Sequence, residues 1–361
     1  MPRAQTPVLL IALMGAASPL TAAAAPDTPA PANSPQPRLL LAQAEESDEP
    51  IPQGLRDPRN RRGRTTRVPP TRDAPAPGNQ PIPPWRVVFN NAFFLRYNPL
   101  GLEDQLRAGA QRLLYKNPKA LFRDNFFFFG LAPRLNPAFV KVGPAIEIQP
   151  LSIFNLRVTA EFIYLFSSFG FLQSFRTPNV DYSDSTMGQR ADLGLNYSTI
   201  GAHVIIEPLF QFRFGNIVVR NKSTFEYWRM RTRAGDSVFY DVTLDTLISN
   251  NGWVFSNDLD ALYLFKFGLT AGIRYTVVRP FYRQRDYLAG EIERLSTNQH
   301  QRLGPLLAYT FYDHGYTRFN RPTIILIVNW YAEHRWRTGV DVNPAIPYIV
   351  VGFGFQSDIL K

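Results

Sequence analysis

From Trp85 onward the chain is a series of segments, each about ten residues long, in which apolar side chains recur at every second position. Val140, Val142, Ile146 and Ile148 alternate with Lys141, Gly143, Ala145, Glu147 and Gln149. Leu156, Val158, Ala160, Phe162 and Tyr164 alternate with Arg157, Thr159 and Glu161. Ile200, Ala202, Val204 and Ile206 alternate with Thr199, Gly201, His203 and Glu207, and Ile217, Val219, Phe225 and Tyr227 with Arg220, Lys222, Thr224 and Glu226. The pattern persists through Leu259 to Phe265, Leu269 to Val277, Leu303 to Phe311, Ile324 to Trp330 and Ile349 to Phe355. Successive strand side chains point to opposite faces, so each segment reads as a strand with one greasy and one polar side.

Alternation alone also suits a soluble sandwich. Three features favour a closed barrel in lipid. The apolar faces carry almost no charge over their central positions, as hydrocarbon requires. The opposite faces carry Arg157, Glu161, His203, Glu207, Arg220, Glu226, Asp258, Asp260, Arg274, Glu333 and Arg335, a mixed-sign set that suits a polar lumen. Aromatic residues gather near segment ends: Trp228, Trp253, Tyr282, Trp330 and Trp336, with Tyr227, Phe281 and Tyr331, read as interfacial girdles. Backbone groups in lipid must be paired within the protein, so strands span only as a closed sheet.

Connections alternate in length. Short links fall near residues 150–155, 208–216, 266–268 and 313–322, and long ones near 169–190, 231–252, 281–301 and 336–345. In bacterial barrels short turns face the periplasm and long loops face outward, which places both termini on the periplasmic side and makes the strand count even. The count is about ten. It becomes twelve if Phe126 to Pro150 is split near Pro133 and Pro137 and Ser237 to Ile248 is added. Gly101 to Tyr115 shows helical spacing (Leu102, Leu106, Ala110, Leu113) and predicts a short helix on the rim.

What precedes the strands differs in kind. Residues 1–25 have a basic start, an apolar stretch from Val8 to Ala17 and small residues at Ala22 to Ala25, the pattern of a secretory signal peptide. Residues 26–84 hold 15 prolines in 59 positions and predict a disordered arm. The arm is charge-segregated, with acids at Glu45, Glu46, Asp48 and Glu49 and arginines from Arg56 to Arg72. In an exported protein such a run meets lipid phosphates, a periplasmic polyanion or a protein rather than nucleic acid. The folded part, 85–361, carries about +8 of the chain's +10, once Arg3 and the arm's +1 are set aside.

Residues 85–361, with their dyad strands, short-turn and long-loop alternation and terminal segment Tyr348-Ile-Val-Val-Gly-Phe-Gly-Phe355, resemble a Gram-negative outer-membrane β-barrel. The resemblance is to a class and not to one characterised family. It implies an all-β, closed antiparallel transmembrane barrel in the cell outer membrane. It also implies outer-membrane lipids, lipopolysaccharide and the barrel assembly machinery as partners.

Signals for chemistry are sparse. With no Cys and four His (203, 300, 314, 334), no metal spacing, cofactor motif or Cys nucleophile is present. Asp313-His314 is the one adjacent Asp–His pair and falls in a short turn; His203 falls on a lumen face near Glu207. Neither predicts a catalytic site, so the expectation is a barrel that is not an enzyme. The lumen charges then allow a closed ion-pair network, the favoured reading, or a narrow pore preferring anions. A barrel hydrolase and a soluble β-sandwich are the remaining alternatives.

Overall fold

The computed structural model describes residues 83–117, 119–166, 168, 172–291, 298–337 and 343–360. The expected signal peptide (1–25) and all but the last two residues of the expected arm (26–84) lie outside the described residues.

Twelve antiparallel strands close into one barrel. They are β1 (Trp85–Tyr97), β2 (Gly101–Arg112), β3 (Phe126–Leu131, resumed at Arg134–Asn136), β4 (Phe139–Val142, resumed at Pro144–Leu151), β5 (Phe154–Leu165) and β6 (Thr199–Phe214). Then come β7 (Ile217–Met230), β8 (Gly252–Leu264), β9 (Leu269–Pro280), β10 (His300–Thr310), β11 (Asn320–Glu333) and β12 (Tyr348–Leu360). Each strand pairs with its neighbours in chain order, and β1 closes on β12 with Phe93 opposite Phe353. Among the described residues no edge of this sheet remains to be satisfied in lipid. This closure excludes the β-sandwich: one sheet meets itself, with no second layer.

The count resolves at twelve, but by a different route from the one expected. Gly101–Arg112 is not a rim helix; it is β2, paired along its whole length with β1. Leu102, Leu106 and Ala110 recur at intervals that suit one side of a strand as well as a helix. The strong pairing of β1 decides between them, because an isolated helix of this length is marginal. Phe126 to Pro150 does split, and Pro133 and Pro137 fall at the break and the turn between β3 and β4. Ser237 to Ile248 is not a wall strand.

The shortest turns are tight. Phe214 and Ile217 are paired, leaving a two-residue hairpin loop in which Gly215 takes φ 58°, open to glycine at little cost. At the opposite end the described parts of the long connections, 172–198, 231–251, 281–291 and 298–299, fold over the mouth. Val238–Asp241 and Thr246–Ser249 form a hairpin that pairs with Ser174–Phe175 in a separate three-stranded sheet. The helix Asp184–Asp192 starts at Ser183, whose hydroxyl accepts from the Thr186 amide. No helix among the described residues is long and apolar enough to cross a membrane; the strands do so.

The outer wall is greasy. Phe93, Leu95, Phe129, Ile146, Phe162, Phe212, Leu259, Ile273, Leu307, Ile324 and Val351 all point outward and are exposed. The interior has two sectors. One holds the charges. The other is an apolar cluster of Ala92, Phe94, Leu306, Ile325, Ile327 and Val350, joined by Val218 and Leu262 from β7 and β8. β7 lies across the barrel from β1, so this cluster fills the bore from wall to wall.

Candidate functional site: a charged and capped lumen

Strand parity delivers polar residues inward from β2 to β9, and there they pair across neighbouring strands. Arg107 meets Glu147 at 2.8 Å, and Arg157 lies 3.6 Å from both Glu147 and Glu207. Lys222 then meets Glu207 at 2.8 Å. The result is a chain of alternating sign running through β2, β4, β5, β6 and β7. Asn155 donates to Glu147 at 2.8 Å and satisfies its other oxygen.

Nearer the long loops, Arg134 contacts Glu161 at 3.1 Å. His203 is held between Glu161 (Nδ1, 3.2 Å) and Glu226 (Nε2, 2.8 Å). Trp228 stacks on the imidazole at 3.6 Å and donates its indole N–H to Glu226 at 3.2 Å. Lys141 lies over the same indole. On β7 to β9, Arg220 reaches Asp260 at 2.7 Å, and Arg274 bridges Asp260 (2.7 Å) and Asp258 (3.1 Å). Thr276 donates to Asp258 at 2.6 Å. On the apolar side Arg302 stacks on the Tyr348 ring at 4.0 Å.

These charges are sequestered: Glu147 and Asp260 are 0% exposed, and Arg274 and His203 are 1% exposed. A cavity of about 20 Å³ among Lys141, Trp228 and Phe239 has room for a single water. A charge out of water is costly unless paired, so the network exists as a unit, and breaking one member strands another.

The mouth is closed by the 238–249 hairpin. Its tip residue, Asp245, sits at φ 51° and is 1% exposed. Arg337 binds its carboxylate through Nε (3.0 Å) and Nη2 (3.1 Å). Tyr331 donates to it at 2.9 Å and Tyr240 at 2.7 Å. His334 Nε2 lies 3.0 Å from the Asp245 carbonyl and 3.2 Å from its carboxylate. Nδ1 of the same ring accepts from the Trp336 and Arg337 amides, so Nε2 carries the proton. Burial alone would raise the Asp245 pKa, but Arg337 and His334 overcome it and hold the carboxyl well below its ordinary range. The preceding residues are tied to the wall as well: Arg96 donates to the Thr243 carbonyl (3.0 Å), and His300 Nε2 to that of Leu244 (2.7 Å). Leu244 and Ile248 pack with Ile163, Trp228, Val254 and Val278 from four strands.

Several sequence assignments need correction. Glu333 is exposed and lies outside the lumen, accepting from Gln301 at 2.8 Å and Gln299 at 3.3 Å. A register shift between Gln301 and Arg302 puts Tyr331 opposite Arg302 but Glu333 opposite Gln301, so alternation fails there. Arg335 is past the end of β11, in the cap, donating to Asn298 at 3.1 Å. Trp228 is no girdle residue, being 2% exposed inside the barrel, and Tyr331 also points inward. Tyr282 and Trp336 belong to the cap, Tyr282 donating to the Leu247 carbonyl at 2.7 Å and Trp336 packing edge-on to Tyr182. Trp253 and Trp330 do face outward near the long-loop rim. Asp313 is bound to Arg321 at 2.9 Å and to Asn320, while His314 stacks on Tyr312, so this neighbour pair forms no dyad.

Inward residues that sequence reasoning left out of the site include Arg96, Glu103, Arg107, Arg134, His300 and Arg302. Glu103 and Arg107 lie on β2, and reading that segment as a strand recovers both.

The fold and its surface define the class: a closed antiparallel barrel, apolar outside and polar or packed inside, of the outer-membrane type. No protein-family model matches the chain. No curated protein matches it by sequence. Among solved structures it is similar to the NanC porin (12% identity, covering 75% of this chain and 100% of that one, TM-score 0.34). It is similar also to the β domain of the Bordetella autotransporter BrkA (13%, 76% and 98%, 0.35). The Pseudomonas putida toluene transporter TodX matches at 8% identity, with 78% and 91% covered and a TM-score of 0.34.

Proposed function

We propose that this chain is an integral outer-membrane barrel with a structural or binding role in the envelope, inserted with its lumen shut and its long loops outward. The observation that carries this reading is the filled bore: most of the inward acids and bases of β2 to β9 are paired and buried, the β10 to β1 sector is packed with apolar side chains, and the 238–249 hairpin stoppers the mouth. An anion pathway, attractive from the net charge, would need continuous water beside those arginines. In this orientation both ends of the strand region lie on the periplasmic side, where the Arg56 to Arg72 stretch could meet a polyanion or a protein partner.

The test is conductance of the purified, refolded protein in planar bilayers. Heat-modifiable migration on a gel certifies that the barrel is intact. The expected result is a silent membrane; reproducible unitary steps from the wild-type barrel would overturn the reading. A transport role is the second reading. It is favoured by one observation: the stopper is loop rather than wall, so its displacement would leave the strand-to-strand ladder of the barrel in place.

A further inference from the structure

The lipid-facing wall is not uniform. At the long-loop end of β5, β6 and β7 it is indented by a groove of about 560 Å³, within the size range of small-molecule sites. Its floor is apolar, formed by Phe162, Ile200 and Ala202, with the bare backbone of Gly201 between them. Its upper edge is cationic. Arg229 ends the outward face of β7 and Arg231 follows two residues on; both are exposed and both line the groove. Two residues of extended chain separate the guanidinium stems by roughly 6–7 Å. Among the described residues neither guanidinium is ion-paired. Thr232 and Asn251 add polar groups on the same lip.

Height matters as much as chemistry. Tyr227 lies two residues below Arg229 on the same outward face and pairs with Trp253, ring centroids 5.3 Å apart; Tyr164 points outward on β5. Tyr and Trp at a barrel's edge mark the headgroup level. The groove therefore reaches headgroup level at the arginines, and its apolar floor runs from Ala202, the cross-strand partner of Arg229, to Phe162 on β5, on the side that faces the acyl chains. More cations stand on the same rim: Arg279 is exposed over Phe281, and Arg233 lies over Tyr197.

We propose that this groove binds the phosphorylated lipid of the outer leaflet, the lipid A part of lipopolysaccharide. An acyl chain lies along Phe162, Ile200 and Ala202, and a glucosamine phosphate is bound by Arg229 and Arg231. Two adjacent guanidinium forks suit a phosphate's geometry better than a lone ammonium would. The assignment rests on the outward orientation of the long loops proposed above.

The test uses the full chain in detergent micelles, titrated by native mass spectrometry with diphosphoryl lipid A, monophosphoryl lipid A and phosphatidylglycerol. The wild type should bind diphosphoryl lipid A roughly tenfold or more tightly than either of the others. The double variant Arg229→Ala/Arg231→Ala should lose that preference and keep heat-modifiable migration, because both side chains are exposed. Ala202→Trp, which fills the floor and keeps the charges, should weaken all acylated ligands together. Unchanged lipid A binding in the double variant would overturn the site, as would phosphatidylglycerol binding as tightly as lipid A. Orientation is read separately, from labelling of Ala234→Cys on intact cells by an impermeant maleimide. Phosphate-dependent binding without labelling would sink the orientation and leave the groove chemistry standing. Labelling without phosphate dependence would sink the site alone.

Discussion

Asp245 ties the cap to the barrel, and replacing it with Asn isolates the charge from the shape. The amide keeps the size of the carboxyl but presents a neutral group to Arg337, which is itself buried in the cap. Breaking a buried pair on one side costs about 3–5 kcal/mol when the remaining charge is uncompensated; Arg337 keeps its pairing with the exposed Asp184, so the loss should sit at the lower end, about 3 kcal/mol. At about 1.4 kcal/mol per decade, the cap-opening equilibrium should rise by roughly two orders of magnitude. Hydrogen exchange of amides 238–249, measured in micelles on the folded barrel, reads this directly. Exchange in the wall strands should stay slow, since their ladders do not depend on the cap. A pH series gives an independent check. The Asp245 pKa is depressed in the folded cap, so its stabilisation is complete above the unfolded value near 4 and is lost as pH falls through the lower folded value. After correction for intrinsic rates, wild-type protection should be flat from about pH 7 to 5 and fall below about pH 4. In Asp245→Asn that acid limb should vanish. Equal protection of 238–249 in variant and wild type would refute the claim that this carboxylate holds the cap shut.

Other substitutions probe the bore and the wall. Arg274→Ala leaves Asp258 and Asp260 side by side without their shared partner and should destabilise the barrel by about 3–5 kcal/mol in urea unfolding from bilayers; a loss below 1 kcal/mol would contradict a unitary network. Gly352→Val puts a Cβ about 2.6 Å from the Phe94 ring and should cost about 1–3 kcal/mol by forcing that ring off its seat, read as a lower heat-modification temperature. On the outward face Asn221 and Asn257 donate to each other at 3.1 and 3.0 Å. Asn257→Leu should cost about 1–3 kcal/mol by leaving the Asn221 amide N–H without its acceptor, whereas leucine at both positions should recover part of the loss; equal stability of single and double variants would refute reciprocal pairing.

Much of the barrel could be read in the sequence because lipid and lumen impose opposite chemistry on alternate residues. From β4 through β9 that parity assigns nearly every wall residue to its face. It fails where parity itself breaks or carries no contrast. Asp104 faces outward on β2, bound to Asn91 at 2.6 Å, and its charge disguises the strand. Glu333 lies beyond a register shift. In Ile324 to Val328 both sides are apolar, since Ile325 and Ile327 pack into the bore, and this unbroken run is the sequence trace of the uncharged sector. Trp228 could have been assigned inward, because Tyr227 beside it is outward and both cannot be. Asp245 had no such signal. Its partners Tyr331, His334 and Arg337 are about ninety residues away in sequence and converge only once the barrel closes.

Along the β1–β12 seam, Phe355 is not the last rung. Gln356 to Leu360 continue β12 and pair with Asn90 back to Val87. A growing sheet acquires its strands one neighbour at a time, yet this ladder joins the earliest to the latest. Until β12 emerges, the β1 margin stays raw, with a row of amides and carbonyls that nothing in the preceding strands can occupy. The seam is thus the last line of this wall that can be closed, since its two margins stand at opposite ends of the strand order.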